Sequence, residues 1–131
     1  MFLTKECDYA IRVVRSLSDM EKKTVKMICE DEHIPHQFAY KILKKLEHAG
    51  IVRSYRGTLG GYQLDKELNC ITLSDIVLAV DDNLFINECL QPGYECPNNC
   101  NSNSCNVHHE LVQIQNSLTN ALNNKTFDKY I

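Results

Sequence analysis

No apolar run in the chain approaches the ~18 residues of a membrane-crossing helix. Its opening, Met1-Phe2-Leu3-Thr4-Lys5-Glu6-Cys7-Asp8, has acidic residues where an export signal carries a basic stretch and then an apolar core. A soluble protein of the reducing cytoplasm, without a membrane partner, is therefore expected. Also missing are a Ser/His/Asp set, a phosphate-binding glycine loop and a carboxylate pair suited to acid–base chemistry. A lone cysteine near a histidine can act as a nucleophile, but these absences set catalysis aside in favour of a binding or regulatory module. There is no overall basic excess either, with 14 Lys and Arg against 17 Asp and Glu for a net charge of −3. A length of 131 residues suits one compact domain with a projecting element, not two full domains.

The charge deficit is uneven. Residues 1–64 hold eleven Lys/Arg against eight Asp/Glu, and residues 65–131 hold three against nine, which gives +3 and −6. From His33 to Leu64 the basic residues Lys41, Lys44, Lys45, Arg53 and Arg56 face Glu47 alone. Phosphates respond to such a local face, within a Debye length of ~10 Å, and not to the global charge.

The periodicity explains where that face lies. From Thr4 to Ser18, Ala10, Val13, Val14 and Leu17 recur at helical spacing and predict an amphipathic helix. A shorter helix is expected over Val25–Asp31, burying Ile28 and Cys29. Pro35 disfavours helical geometry at Ile34 and suits the first turn of a new helix. That helix runs to about Ala49, with Ala39, Ile42, Leu43 and Leu46 inward and Gly50 as the left-handed residue past its end. Its outward residues are His36, Gln37, Tyr40, Lys41, Lys44 and Lys45, which makes the pair a helix-turn-helix candidate. His36, Gln37 and Tyr40 would face base edges, and Lys41 and Lys44 phosphates.

Two β-prone runs, Ile51 to Tyr55 and Tyr62 to Leu64, flank Arg56-Gly57-Thr58-Leu59-Gly60-Gly61 and predict a hairpin. Taken alone it is a solvated surface turn. Behind a helix-turn-helix it is a wing, with Arg56 near the tip able to enter a minor groove and Gly60 and Gly61 letting backbone approach sugar and phosphate. Thr72 and Asp75 mark a further helix start, with Ile76, Val77 and Val80 packing on the domain.

Beyond it, Cys89 to His109 gathers four of the seven cysteines and two of the five histidines. In a reducing compartment this argues for metal, cluster or redox chemistry over a structural disulfide framework. Three occupancies stay open: an iron–sulfur cluster, a tetrahedral zinc site using Cys96, Cys100, Cys105 and His108, and a thiol or disulfide switch without metal. Cys7, Cys29 and Cys70 are expected as small buried hydrophobes, and His33, His36, His48 and His109 as surface residues. From Val107 to about Asn123 a narrow stripe of Val107, Leu111, Ile114, Leu118 and Leu122 predicts a helix that wants a partner. Either a second copy covers Leu111, Ile114, Leu118 and Leu122, or the helix docks on its own domain.

Several segments resemble the winged-helix repressor family that includes IscR, NsrR and CymR. They are Leu3-Thr4 with Asp8 to Arg12, Lys41 to Leu46 through Ala49-Gly50, Val52-Arg53-Ser54 with Arg56-Gly57, Gly60 to Leu64, and Ile71 to Ile76. The resemblance implies a mainly α fold with a small β-hairpin wing and a long C-terminal dimerisation helix. It implies a DNA-binding unit over 1–80, a cysteine-rich sensor loop over 81–106 and a dimerisation helix and tail over 107–131. The function implied is a homodimeric repressor that binds a double-stranded DNA operator with an affinity set by the cysteine loop. Cys89, Cys96 and Cys105 would hold an iron–sulfur cluster, 2Fe–2S ahead of 4Fe–4S. The fourth ligand would be His108 or Asp8 from the other subunit, with Cys100 as an alternative ligand. The spacing Cys89-x6-Cys96-x8-Cys105 departs from the five-residue spacing common in the family. The alternative is a cluster-free regulator of the same fold, controlled by thiol redox state, zinc or a protein co-regulator.

Overall fold

The structure is a computed structural model and describes residues 3–98 and 105–131. The first helix, α1 (Lys5–Ser16), starts where Thr4 caps it, the Thr4 Oγ1 accepting from the Cys7 amide at 3.3 Å. It sinks Cys7, Ala10, Val13 and Val14 fully into the core. Helix α2 (Val25–Glu32) is capped by Thr24, whose hydroxyl accepts from the Met27 amide at 3.2 Å. It ends because His33 turns left-handed at φ 54°, which aims the Ile34 amide at the Cys29 carbonyl 3.1 Å away. Helix α3 (His36–His48) follows at once, with Pro35 in its N-cap position. The inner face of α3 is Ala39, Ile42, Leu43 and Leu46, all buried as the pattern required.

Gly50 adopts φ 78° after α3, as expected, and the chain enters the antiparallel hairpin of β1 (Val52–Tyr55) and β2 (Gly61–Leu64). The register pairs Val52 with Leu64 and Tyr55 with Gly61. A third segment joins the hairpin: the Lys23 and Tyr62 backbones exchange two hydrogen bonds of 2.8 and 2.7 Å. The wing is thereby fixed to the start of the helix-turn-helix. Helix α4 (Leu73–Val80) opens on the capping box that Thr72 and Asp75 predict, with both reciprocal bonds present at 2.9 and 3.2 Å. Its Ile76, Val77 and Val80 are buried.

Helix α5 (Asn106–Asn123) behaves differently, since none of its residues is buried. The chain then returns: Thr126 pairs with Thr72, the Phe127 amide donates to the Ile71 carbonyl at 2.7 Å, and the Phe127 ring is 2% exposed. Burying such a side chain contributes roughly 1.5–3 kcal/mol, so the last residues complete the core of the first eighty. Two expectations need correction. Cys70 is exposed, because it closes a short 3-10 turn (Leu68–Cys70) on the surface, whereas Cys7 and Cys29 are buried as expected. Lys45 does not face outward; it is half-buried and donates to Glu6 of α1 and, at 3.1 Å, to the Val80 carbonyl at the end of α4.

Candidate nucleic-acid interface and cysteine loop

The outer face of α3 is accessible as the heptad-like spacing demands: His36, Gln37, Tyr40, Lys41 and Lys44 are exposed, Tyr40 by 53%. His36 and Tyr40 meet the wing residues Arg56, Gly60 and Gly61 around one open cleft of about 480 Å³. Gln37, Lys41 and Lys44 lie on the same helix outside that lining. The cleft also enlists Lys26, Ser54 and Tyr55, which periodicity passed over because each sits on an exposed face with nothing apolar to mark it. Lys22 places its ammonium 5.0 Å from the centre of the Tyr55 ring, a cation–π contact that holds the aromatic at the cleft wall.

The wing is braced from inside. Ser54 Oγ donates to Glu47 at 2.8 Å and the Tyr55 hydroxyl to Gln63 at 3.0 Å. A Cβ on Gly61 would lie 2.5 Å from the Lys23 carbonyl oxygen, and one on Gly60 2.6 Å from that of Tyr55. Both glycines therefore have an intramolecular reason to be glycine: the backbones they cross leave no room for a side chain.

Not every basic residue is available to a phosphate. Arg53 is paired with Asp65 at 3.2 Å. Lys41 and Lys45 close on the two oxygens of Glu6 at 2.7 and 2.8 Å. Their hydrogen bonds, Lys41's first, hold the Glu6 carboxyl below the usual carboxylate range. Lys44, Arg56 and the cleft residue Lys26 make no ion pair among the described residues and are open cations of this face.

In the cysteine segment, Cys89 sits half-buried in a 3-10 turn (Glu88–Leu90), its Sγ accepting from Asn87 Nδ2 at 3.2 Å. Cys96 is half-buried farther along. Cys105 caps α5, its Sγ accepting from the His108 amide at 3.4 Å. The His108 and His109 rings stand 6.4 Å apart, and Asp8, on α1, pairs with Arg12 at 3.1 Å. Cys100 lies outside the described residues. Among the described residues no three Cys, His, Asp or Glu side chains come together in a metal-binding group, so Cys89, Cys96, Cys105, His108 and Asp8 are not gathered within this single chain. Three thiols and an imidazole are nonetheless the donor types that iron–sulfur centres take. The segment is tethered to α5 by Gln115, which accepts from the Ile86 amide at 2.9 Å and donates to the Leu84 carbonyl at 3.2 Å.

Helix α5 presents its stripe incompletely covered. Leu111, Leu118 and Leu122 are half-buried, while Ile114 is 42% and Val107 68% exposed. No helix among the described residues is long and apolar enough to cross a membrane.

Comparison with known proteins agrees with this geometry. The profile of the Rrf2 family, described as an iron-dependent transcriptional regulator, matches residues 3–131. The chain is 30% identical to the Rhizobium meliloti protein aau3 over its full length and 85% of that protein. It is 28% identical to the transcriptional regulator IscR of Vibrio vulnificus, over 96% of this chain and 74% of IscR. In fold it is similar to CymR, the global cysteine regulator of B. subtilis, with a TM-score of 0.76 at 19% identity over 95% of this chain and 92% of CymR. The family and IscR are described as transcriptional regulators, not enzymes, and the solved neighbour shares the fold of this chain.

Proposed function

Because the chain belongs to the Rrf2 family of transcriptional regulators, we propose that it is a homodimeric repressor whose grip on a double-stranded operator responds to an iron–sulfur cluster in the cysteine loop. The observation that carries the DNA-binding part is the single cleft shared by the exposed face of α3 and the tip of the wing. In this reading α3 enters the major groove, where His36, Gln37 and Tyr40 meet base edges. Lys41 and Lys44 take phosphates, and Arg56 takes the minor groove beside Gly60 and Gly61. Residues 1–80 form the DNA-binding unit, 81–106 the sensor loop and 107–131 the dimerisation helix and tail. Leu111, Ile114, Leu118 and Leu122 meet their copies across a twofold axis, which sets the spacing of two half-sites.

Cys89, Cys96 and Cys105 are the thiolates that would hold the cluster, 2Fe–2S ahead of 4Fe–4S, with His108 or Asp8 of the partner subunit as the weaker fourth donor and Cys100 as an alternative ligand. When bound, such a cluster supplies a centre whose integrity responds to oxygen, nitric oxide and iron supply. The tether from Gln115 to Leu84 and Ile86 supports coupling, because it joins the loop's first residues to the dimerisation helix. That no three of the described donors come together within one chain keeps a second reading in view, in which the loop acts by thiol oxidation, zinc or a protein co-regulator. Anaerobic reconstitution followed by visible absorption and iron and sulfide analysis separates the two. Single alanine changes at Cys89, Cys96 and Cys105 should each abolish the chromophore, one at the true fourth ligand should alter its spectrum, and Cys100→Ala should be mild. A colourless reconstituted protein, or a cluster that survives Cys96→Ala but not Cys100→Ala, contradicts this ligand assignment.

A further inference from the structure

One carboxylate ties the first turn of α1 to the outer face of α3. Glu6, its side chain 24% exposed, contacts Lys41 Nζ through Oε1 at 2.7 Å and Lys45 Nζ through Oε2 at 2.8 Å. The two lysines are not equivalent. Lys45 also donates to the Val80 carbonyl at 3.1 Å and its side chain is 36% exposed, so it is anchored at the end of α4 and belongs to the packing of three helices. Lys41, with its side chain 59% exposed, has Glu6 as its ion-pair partner and stands one residue from Tyr40 and three from Lys44 on the outward surface. Glu6 thus bridges a fixed cation and a movable one.

A duplex approaching α3 must compete with this carboxylate for Lys41. The trio of Glu6, Lys41 and Lys45 carries a net charge of one, not two, so the face offers fewer counterion-releasing contacts than its lysine count suggests. Each phosphate neutralised steepens the dependence of log affinity on log salt by about 0.9. Non-specific binding consists almost wholly of that contribution, whereas a matched site also gains base contacts that seat the helix. We propose that Glu6 is a specificity-determining residue that never touches DNA: it withholds Lys41 from loosely held, unmatched duplexes. The inference rests on the reading of α3 as the DNA-facing helix.

The test is the affinity of the full chain for a selected operator and for a random duplex across a salt series. Glu6→Gln keeps an acceptor for Lys45 while removing the charge. It should tighten the random duplex by about three- to tenfold and steepen its salt slope by about one unit, with a smaller gain on the operator. In a Lys41→Gln background that gain should vanish, since the effect runs through Lys41. With Glu6 present, Lys41→Gln should change the random-duplex slope less than Lys44→Ala does, a comparison that holds even where Glu6→Gln folds poorly. Unchanged random-duplex affinity in folded Glu6→Gln, or a gain that persists without Lys41, overturns the role of Glu6. A salt slope that neither Lys44→Ala nor Arg56→Ala moves would instead show that the DNA-facing surface itself is misassigned, and the proposal falls with it.

Discussion

Helices α3 and α5 make opposite bargains with solvent. The 13 residues of α3 bury four side chains between α1, α2 and α4, and its outer face is polar. The 18 residues of α5 bury none, yet it carries a run of leucines and an exposed isoleucine. A helix without a buried face draws little stability from its own hydrogen bonds. The contrast teaches that the first unit is finished as a single chain, while the arm leaves an apolar stripe half covered, the face proposed above to meet a second copy. It is held near its middle by the Gln115 tether and past its last residue by Phe127, driven back into the core.

The largest expected effect attacks the anchored end. Phe127→Ala should destabilise the fold by about 3–5 kcal/mol, measured by chemical denaturation, because the cavity opens beside Ile71 where the structure can relax little. A loss well under ~1 kcal/mol would mean the tail is not part of the core. Next comes the unfinished face. Leu118→Glu should leave the helix-turn-helix unit folded by circular dichroism, yield monomers in light scattering and weaken operator binding by roughly 10²-fold or more, since two half-sites no longer act together. A wild-type protein that is monomeric at micromolar concentration breaks the comparison outright.

On the finished unit the effects are smaller and separable. Gln37→Ala should cost ~1–3 kcal/mol of discrimination at one operator position, whereas Lys44→Ala should weaken all duplexes and flatten the salt slope by about one unit. Random-site selection on both variants checks this, and no change in either would misplace the recognition helix. Smallest is an acid effect at the joint of α1 and α2. The Asp31 carboxyl is held below the usual range by the Lys23 ammonium and then by the Ser16 hydroxyl. A lowered folded pKa means the stabilisation is present above the unfolded value of about 3.9 and is lost as pH falls through it toward the folded value. Asp31→Asn should therefore flatten the acid limb of the melting temperature, by under ~1 kcal/mol for so exposed a pair.

The parts of this architecture legible in the residues were those where one local rule decides. Helical spacing revealed the buried faces of α1, α3 and α4, Gly50 marked the end of α3, and Thr72 with Asp75 announced α4. What escaped depends on contacts between distant segments. Lys45 sits at a spacing that reads as outward, and only Glu6 and the end of α4 turn it inward. The bridge between Lys23 and Tyr62 joins a residue of the expected hairpin to one in the charged stretch Glu21-Lys22-Lys23, which carries no strand signal. Phe127 follows an Asn-rich stretch that carries no periodic signal, so its return to Ile71 is invisible locally. The left-handed His33 ends α2 where proline alone had seemed sufficient. The wing glycines were legible as necessary, but the backbone that crowds them within the chain, Lys23 at Gly61 and Tyr55 at Gly60, was not. For the cysteine loop, residue types alone suggest a chemistry; spacing along a chain does not determine which sulfurs meet.

The central claim is that the cysteine loop governs the DNA-facing unit, and operator affinity measured on one anaerobic preparation before and after its iron is removed tests it most directly. A change of roughly 5–150-fold, the usual range of coupling between two sites, together with loss of visible absorption, is the predicted result. Equal affinity of the iron-loaded and iron-free protein for the same operator would contradict it.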